Sequence, residues 1–507
     1  MAIVDFCGYE TGNDLEMSNA AGTFSVQSTV KRTGTFALQC NPVTTATGYG
    51  QQAGLTATGR QTASYDLAIW YVTFYFRYAT KPSANDEIMA YFFTGVSNNF
   101  EIRINSTGNL LLYYNASTLL DTGTATLAAN TWYRIEVAID TTADTQEVKV
   151  DGTSDMTAAQ ATAVNLSTVV LGKFANRNGN TVDFFYDDYC IDSATWVGVG
   201  ECRLSIPIGA GAAAGWTAGT NADDFNEVDD VAHDTDTTYI GALATEDNQD
   251  HTFAMQTFST IGGSGSIGAV KTMTVSRSDS TAGTSAVAQR RLFNGSGFEL
   301  TALEAPTTYV LLAKVDVTDP SAGGGAITVA DFDSIEVGMA ANTIAQVQRF
   351  TAAYAAIWVT GVQAVVTGTA TAGITEADIV AGGKTIIITL SNDTWIAAGA
   401  GSFDLQRDEI IAGLDSAQSE ALGWDLQVKA LQSLGGVVRT SDTVVTVTLD
   451  ASALYNITAT ETITVTVPST ALLGGVANVV ATPTFTVIQA GGAATYPGWY
   501  GQRGGWF

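Results

Sequence analysis

The chain has 507 residues, enough for roughly two to four domains that each bury a core. It carries 22 Lys and Arg against 50 Asp and Glu, a formal net charge of −28, with 14% charged residues in all. So acidic a surface repels phosphate backbones and anionic headgroups, which argues against nucleic acid and membrane surfaces as partners. No run of about 18 apolar residues occurs, so no membrane insertion is expected. The opening MAIVDFCGYE has neither a basic segment nor an apolar core, so no signal peptide is expected.

With few charges, the surface must be covered by Thr, Ser, Asn, Gln and Gly, a composition that suits strands joined by turns. Residues 1–200 contain apolar segments at fairly regular spacing: TFALQC (35–40), WYVTFYFRYA (70–79), IMAYFFTG (88–95), FEIRINSTGNLLLYYN (100–115), TVVLGKF (168–174) and VDFFYDDYCID (182–192). NTWYRIEVAIDTTADTQEVKVDG (130–152) is the most legible of them. Tyr133, Ile135, Val137 and Ile139 alternate with polar residues, a polar run comes next, and Val148 and Val150 resume the alternation. That pattern predicts a β-hairpin with one buried face.

The WYRIEV strand set against VKVDG across a polar turn, with a late FYDD strand after it, resembles the concanavalin A-like/laminin G-like jelly roll over about 190 residues. The resemblance implies a lectin-like sandwich and says little about a ligand. A second β-sandwich is expected over 203–360, from HTFAMQTF (251–258), AVKTMTVSRS (269–278), YVLLAKVDV (309–317), DSIEVGMA (333–340) and FTAAYAAIWVTG (350–361). Its HDTDTTYI, GAVKTMTVSRS and FDSIEVGM segments are similar to a sandwich module of tailed-bacteriophage structural proteins. Residues 362–490 resemble an immunoglobulin-like sandwich, with strands at 382–396, 442–450, 460–469 and 480–488. A helical insertion is expected near 403–414, where Ser402 can cap and Phe403, Ile410, Ile411 and Leu414 share a face. The expected fold is therefore all-β, three tandem sandwiches and then a Gly-rich, aromatic tail over 491–507.

Little in this chain points to chemistry. Gly263, Gly265 and Gly268 match GxGxxG, but a strand rather than a helix comes after them, so no nucleotide site is expected. His233 and His251 are 18 residues apart, without metal-ligand or general-base spacing, and read as surface or loop residues. Glu136 and Asp140 share a strand face, as a glycoside-hydrolase pair would, but Arg134 and Trp132 share it too, so a solvated Arg–Glu pair explains it as well. No catalytic residues and no obligatory cofactor are assigned, and the chain is read as a non-enzyme. For Ca2+, the acidic loop 221–236 offers Asp229, Asp234 and Asp236 as weak candidates, without the spacing of an EF-hand; solvated turn acids are the alternative. FYDDY, with Asp187 and Asp188, is the second place considered for Ca2+, with solvated acids again the alternative; on a strand the two should point to opposite faces, so at most one could join a given site. Cys7, Cys40, Cys190 and Cys202 are too scattered for a disulfide scaffold and read as buried thiols, with Cys7 and Cys190 on adjacent strands.

Aromatic side chains crowd the first 200 residues, including Trp70, Tyr71, Phe74, Tyr75, Phe76 and Tyr78. Most must fill the core; one or two could face solvent beside polar groups and stack against sugar rings. In the tail, Trp499, Tyr500, Trp506 and Phe507 have too little sequence around them for a core and are expected to contact a partner subunit or the third domain. The phage resemblance implies a virion structural protein displayed on the particle surface: a fibre, a tail or neck appendage, or a capsid decoration. Its partners would be other virion proteins and further copies of itself, a homotrimer if it is a fibre, and host-surface glycans are a candidate ligand. A carbohydrate-binding adhesin is the alternative reading, and a glycan hydrolase the third.

Overall fold

In the computed structural model, residues 3–360 are described apart from short segments, the longest being 54–66. Beyond them the described residues are 365–369, 374–391, 395, 437–441, 444–448, 461–464 and 484–488. The chain forms two compact units, Met1–Val362 and Gln363–Phe507. Strands dominate both, and the sheets pair as sandwiches.

The first sandwich is built from residues 3–192. One sheet runs in the order Thr153–Ala158, Thr145–Val150, Tyr133–Asp140, Ile69–Thr80, Asp183–Asp192, Ala37–Cys40, Phe24–Gln27, and Ile3–Cys7 pairs with Asp183–Asp192. The second has the order Thr118–Thr126, Asn109–Tyr114, Asn98–Ile104, Glu87–Thr94, Thr168–Lys173, Gly48–Ala53, Asn19–Gly22. The hairpin read from sequence forms in register, Ile135 opposite Val150 and Val137 opposite Val148. On its other edge Tyr133, Ile135, Val137 and Ile139 lie opposite Phe76, Phe74, Val72 and Trp70. All eight are buried, and Phe100, Ile102 and Ile104 are buried on the second sheet. The period of two puts these residues on the inner face and leaves Tyr71, Thr73, Tyr75 and Arg77 on the outer one.

Residues 200–360 supply two more sheets. One runs Ala218–Gly219, Ile240–Ala242, Gln348–Thr360, Ser266–Ser278, Val310–Asp316, with Gly200–Ser205 on the far part of Gln348–Thr360; the other runs Pro207–Ala214, Gln249–Met255, Glu336–Thr343, Ala286–Phe293, Ser296–Glu299. Between them lies a core that includes Trp216, Phe253, Phe293, Phe332 and Phe350. The strand Gln348–Thr360 is covered on both faces. Ala355, Ile357 and Val359 enter that core, whereas Tyr354, Ala356 and Trp358 pack with Ile3, Phe6, Cys190 and Cys202 in a second one. Burial on both faces is why its sequence is apolar almost throughout rather than alternating. Gly200 permits this packing: a Cβ there would lie 2.4 Å from the Trp358 ring.

A strand comes after Gly265 as expected, beginning at Ser266. Cys7 and Cys190 do lie on adjacent strands, and all four cysteines are buried free thiols. In Gln363–Phe507 the strands Val365–Thr369, Thr385–Ser391, Val444–Thr448 and Val437–Arg439 form one sheet; Ile374–Thr375, Thr484–Ile488 and Glu461–Thr464 form another. The helix expected near 403–414 lies outside the described residues. A short helix at Glu376–Ala381 was not expected; Thr375 and Asp378 close a capping box at its start. A second helix, Val329–Asp333, carries the same box from Thr328 and Asp331.

Candidate functional site

The outer face of the hairpin sheet divides into an open end and a covered end. At the open end, cross-strand pairing lays Asp192, Tyr71, Ala138, Glu147 and Thr157 in one row. Ala138 is the small member of that row, so the sheet is shallow between Tyr71 and Glu147. Asp140, one pleat along on the same face, lies between Ile69 and Thr145. A cleft of about 330 Å³ forms here, with Tyr71, Trp196, Asp140, Glu147 and Thr145 among its walls.

Trp196 reaches this place from the segment after Asp183–Asp192, and both its flanks are fixed. Asp192, fully buried, accepts hydrogen bonds from the Ala194 N–H (2.7 Å) and the Thr195 N–H (3.0 Å) through Oδ1. On the other side the Gly198 N–H donates to Glu136 Oε1 at 3.2 Å. The Trp196 ring meets Tyr71 edge-on, with centroids 5.4 Å apart and planes at 63°. Lys149 Nζ lies 3.7 Å from its centroid. Both rings are half-buried. Two rigid aromatic surfaces beside carboxylates, an ammonium and a threonine hydroxyl combine apolar area with hydrogen-bonding groups, the makeup of a small-molecule or sugar cleft.

The acids of this cleft are already engaged. Asp140 Oδ1 accepts the Thr142 and Ala143 N–H groups, each at 2.8 Å, and so closes the hairpin turn. Glu147 faces Lys149 at 4.0 Å. The Glu136–Arg134 pair forms as anticipated, at 3.1 Å, but is buried rather than solvated, because the segment carrying Gly198 covers it.

At the covered end the same sheet face meets the segment 32–36 and the strand Gly200–Ser205. Asp187 and Asp188 do not diverge. Asp188 has φ +46° at an irregularity in the pairing, and this turns both carboxylates onto one segment. Asp187 accepts the Arg32 N–H at 2.8 Å; Asp188 accepts Arg32 Nη1 and Thr33 Oγ1, both at 2.7 Å, and takes the Cys202 N–H on its other oxygen. Arg32 also stacks on Tyr75, 3.5 Å from the ring centroid. Both aspartates are fully buried, so they are not solvated turn acids, and an arginine occupies the position a cation would take. Burial beside Asp188 raises the Asp187 carboxyl well above the usual range.

A second cleft, of about 250 Å³, opens beside this end between Glu10, Gly34 and Thr35 on one side and Arg203, Gln256 and Thr260 on the other. Glu10 accepts the Thr35 N–H at 2.7 Å, yet desolvation outweighs that bond and pushes its carboxyl up to about 8.

His251, expected on the surface, is buried in the strand Gln249–Met255; its Nδ1 accepts the Trp216 N–H at 3.3 Å and its ring packs on Phe253. Asp229 is half-buried, its carboxyl raised by burial and by Asp230. Asp234, Asp236 and His233 lie outside the described residues, as do Trp499, Tyr500, Trp506 and Phe507. Among the described residues no three His, Cys, Asp or Glu side chains are grouped to hold a metal ion. Of the first-domain aromatics, Trp70, Phe74, Tyr75, Phe76 and Tyr78 are buried, which leaves Tyr71 as the sequence-named ring on the cleft. Trp196 was missed. Its signal was a single tryptophan in the polar turn DSATW directly after a strand.

No family model matches the chain, and a comparison with curated proteins finds no match. Solved structures similar to part of it include a cellulose-induced protein, Cip1, at 18% identity over 39% of this chain and 100% of that one, TM-score 0.31. An endo-β-1,4-glucuronan lyase from the fungus Trichoderma reesei aligns at 15% identity over 38% and 95%, TM-score 0.30. A carbohydrate esterase from the Shiga toxin-encoding bacteriophage phi24B aligns at 14% identity over 38% and 99%, TM-score 0.30.

Proposed function

We propose that this protein is a glycan-contacting surface protein whose sugar platform is the Tyr71–Trp196 cleft. The observation that carries the reading is the pair of half-exposed rings, held edge-to-face and flanked by polar side chains, on a sheet whose other aromatics are mostly buried. A sugar ring offers apolar C–H faces and equatorial hydroxyls. It would stack on the aromatic surfaces and hydrogen-bond to Thr145, Glu147 and Lys149. Binding fits this cleft better than hydrolysis, because Asp140 serves the hairpin turn and Glu147 faces Lys149.

The finer reading, that the protein is displayed on a tailed-bacteriophage virion as a fibre, appendage or decoration, rests on the segment resemblances in 203–360 and on the tandem-sandwich build. In that setting Trp499, Tyr500, Trp506 and Phe507 would dock onto a neighbouring subunit. The test is a glycan array probed with the full chain, then titration of the best ligand into Tyr71→Ala and Trp196→Ala. Each substitution is expected to weaken binding at least tenfold, about 1.4 kcal/mol. Unchanged affinity in both variants would remove the cleft from the reading. Immunogold labelling of purified particles tests the virion placement separately: label on head, neck or tail supports it and unlabelled particles refute it.

A further inference from the structure

Lys271 is a lysine in the middle of the strand Ser266–Ser278 whose side chain is 4% exposed. Its Nζ donates to the Phe6 carbonyl at 2.7 Å and lies 3.3 Å from Asp5 Oδ1 and 3.5 Å from Glu16 Oε1. Asp5 belongs to the strand Ile3–Cys7 of the first sandwich, so this contact joins two sandwiches. Glu16 is held from behind by the Thr11 hydroxyl, which donates to Oε2 at 3.3 Å. Its Oε1 makes no hydrogen bond and faces the ammonium. Phe6, Cys190, Cys202, Met273 and Trp358 form a buried cluster around the strands that carry Lys271 and Asp5.

We propose that Lys271 and Asp5 form an intramolecular isopeptide bond, with Glu16 carrying the proton, and that this amide welds the first sandwich to the second. An amine and a carboxylic acid do not condense in water, because each is ionised there and solvent competes. Here the two are held at contact distance in an apolar enclosure, which replaces an encounter by a fixed geometry. The group holds two carboxyls and one amine, so it reaches zero net charge with one carboxyl protonated. Burial favours that proton on Asp5, whose carboxyl is raised above its usual range. The acidic neighbours Asp5 and Glu16 favour the charged form of Lys271 against desolvation, so in the state with Asp5 protonated a free amine arises only as Glu16 accepts the ammonium proton.

The step balances without an external reagent. The ammonium gives one proton to Glu16, and the free Nζ attacks Asp5 Cγ to form the N–C bond. A second nitrogen proton passes through Glu16 to the Asp5 hydroxyl, the C–O bond breaks, and one water leaves. The amide keeps the third nitrogen proton and Glu16 ends protonated. No electron is gained or lost.

The test is mass spectrometry of the full purified chain under denaturing, reducing conditions, and then a tryptic map. A bonded chain is lighter than its sequence by one water, and peptide 1–31 travels joined to peptide 204–277, whether or not Met1 is retained. Glu16→Gln should fold, as judged by circular dichroism, and keep the full sequence mass; Lys271→Arg keeps the charge but cannot form the amide and should also keep the full mass. A wild-type chain at full mass after prolonged incubation, with trypsin cutting at Lys271 to give separate 1–31, 204–271 and 272–277 peptides, overturns the proposal. A Glu16→Gln chain that still loses water overturns the role given to Glu16. If Glu16→Gln does not fold, the wild-type peptide map decides the bond alone.

Discussion

One sheet face in this protein serves two opposite ends. At the Tyr71–Trp196 end Asp140, Glu147 and Lys149 are half-exposed, each is tied to a near neighbour, and a cleft stays open. At the other end Asp187, Asp188 and Glu136 are almost wholly buried, each bonded to a cation or to backbone N–H groups of a covering segment. The strands are shared and the alternation is the same, so strand sequence does not distinguish them. The difference comes from the segments outside the sheet: 32–36 and 198–205 cover one end, whereas 194–196 only borders the other. An open polar end can exchange partners with solvent, while a covered one is committed to holding the molecule together.

That contrast breaks most visibly at the junction. Replacing Lys271 with Met removes both the proposed amide to Asp5 and, in any chain not yet condensed, the cation of a buried ion pair, a loss of about 3–5 kcal/mol or more. Urea unfolding monitored by tryptophan fluorescence should show a loss of that size. A change under about 1 kcal/mol would mean that the junction is far better hydrated than its burial implies.

The next effect is on pH. Glu10, with an ordinary carboxyl range near 4.5 in the unfolded chain and about 8 in the folded one, binds its proton more tightly when folded. Stability should therefore be full below about 4.5, fall as pH rises from there towards 8, and level off above it. Asp187 and Glu201, also raised by burial, act in the same direction. Glu10→Gln should flatten the decline by an amount on the order of a few kcal/mol at pH 8. Melting temperatures from pH 5 to 9 for the two proteins check this, and parallel curves would show that Glu10 ionises freely in the fold.

The smallest effect is expected at the cleft. Trp196→Ala removes a half-exposed ring and should change stability by less than about 1 kcal/mol while weakening glycan binding. If it destabilises as much as Lys271→Met, the ring is a structural plug and the two ends do not differ in kind.

Several features were legible from residue order alone. Tyr133, Ile135, Val137 and Ile139 fixed the hairpin and its buried face, since a period of two leaves one arrangement that hides them all. The strands after Gly265, at Thr385–Ser391 and at Thr484–Ile488 were readable from apolar runs between turn residues. The helix at Glu376–Ala381 was not read from the sequence: its six residues are too few for apolar periodicity to stand out, and the Thr375–Asp378 capping box was its one local signal. Other features were hidden. Nothing in FYDDY signals that Asp188 takes a left-handed conformation or that Arg32, 156 positions away, will reach it. Likewise His251 reads as polar until Trp216 and Phe253 enclose it.

By itself, then, the sequence determined an all-β chain with sandwich cores, because burial of alternating apolar residues is a local pattern with few solutions. Which polar residues would be enclosed, that Trp196 would meet Tyr71, and that Lys271 would lie against Asp5 and Glu16 were decided only by the tertiary structure. The physical reason is that a charge or an exposed ring has no periodicity of its own; its environment is set by segments far away in the chain, which arrive only when the sheets close.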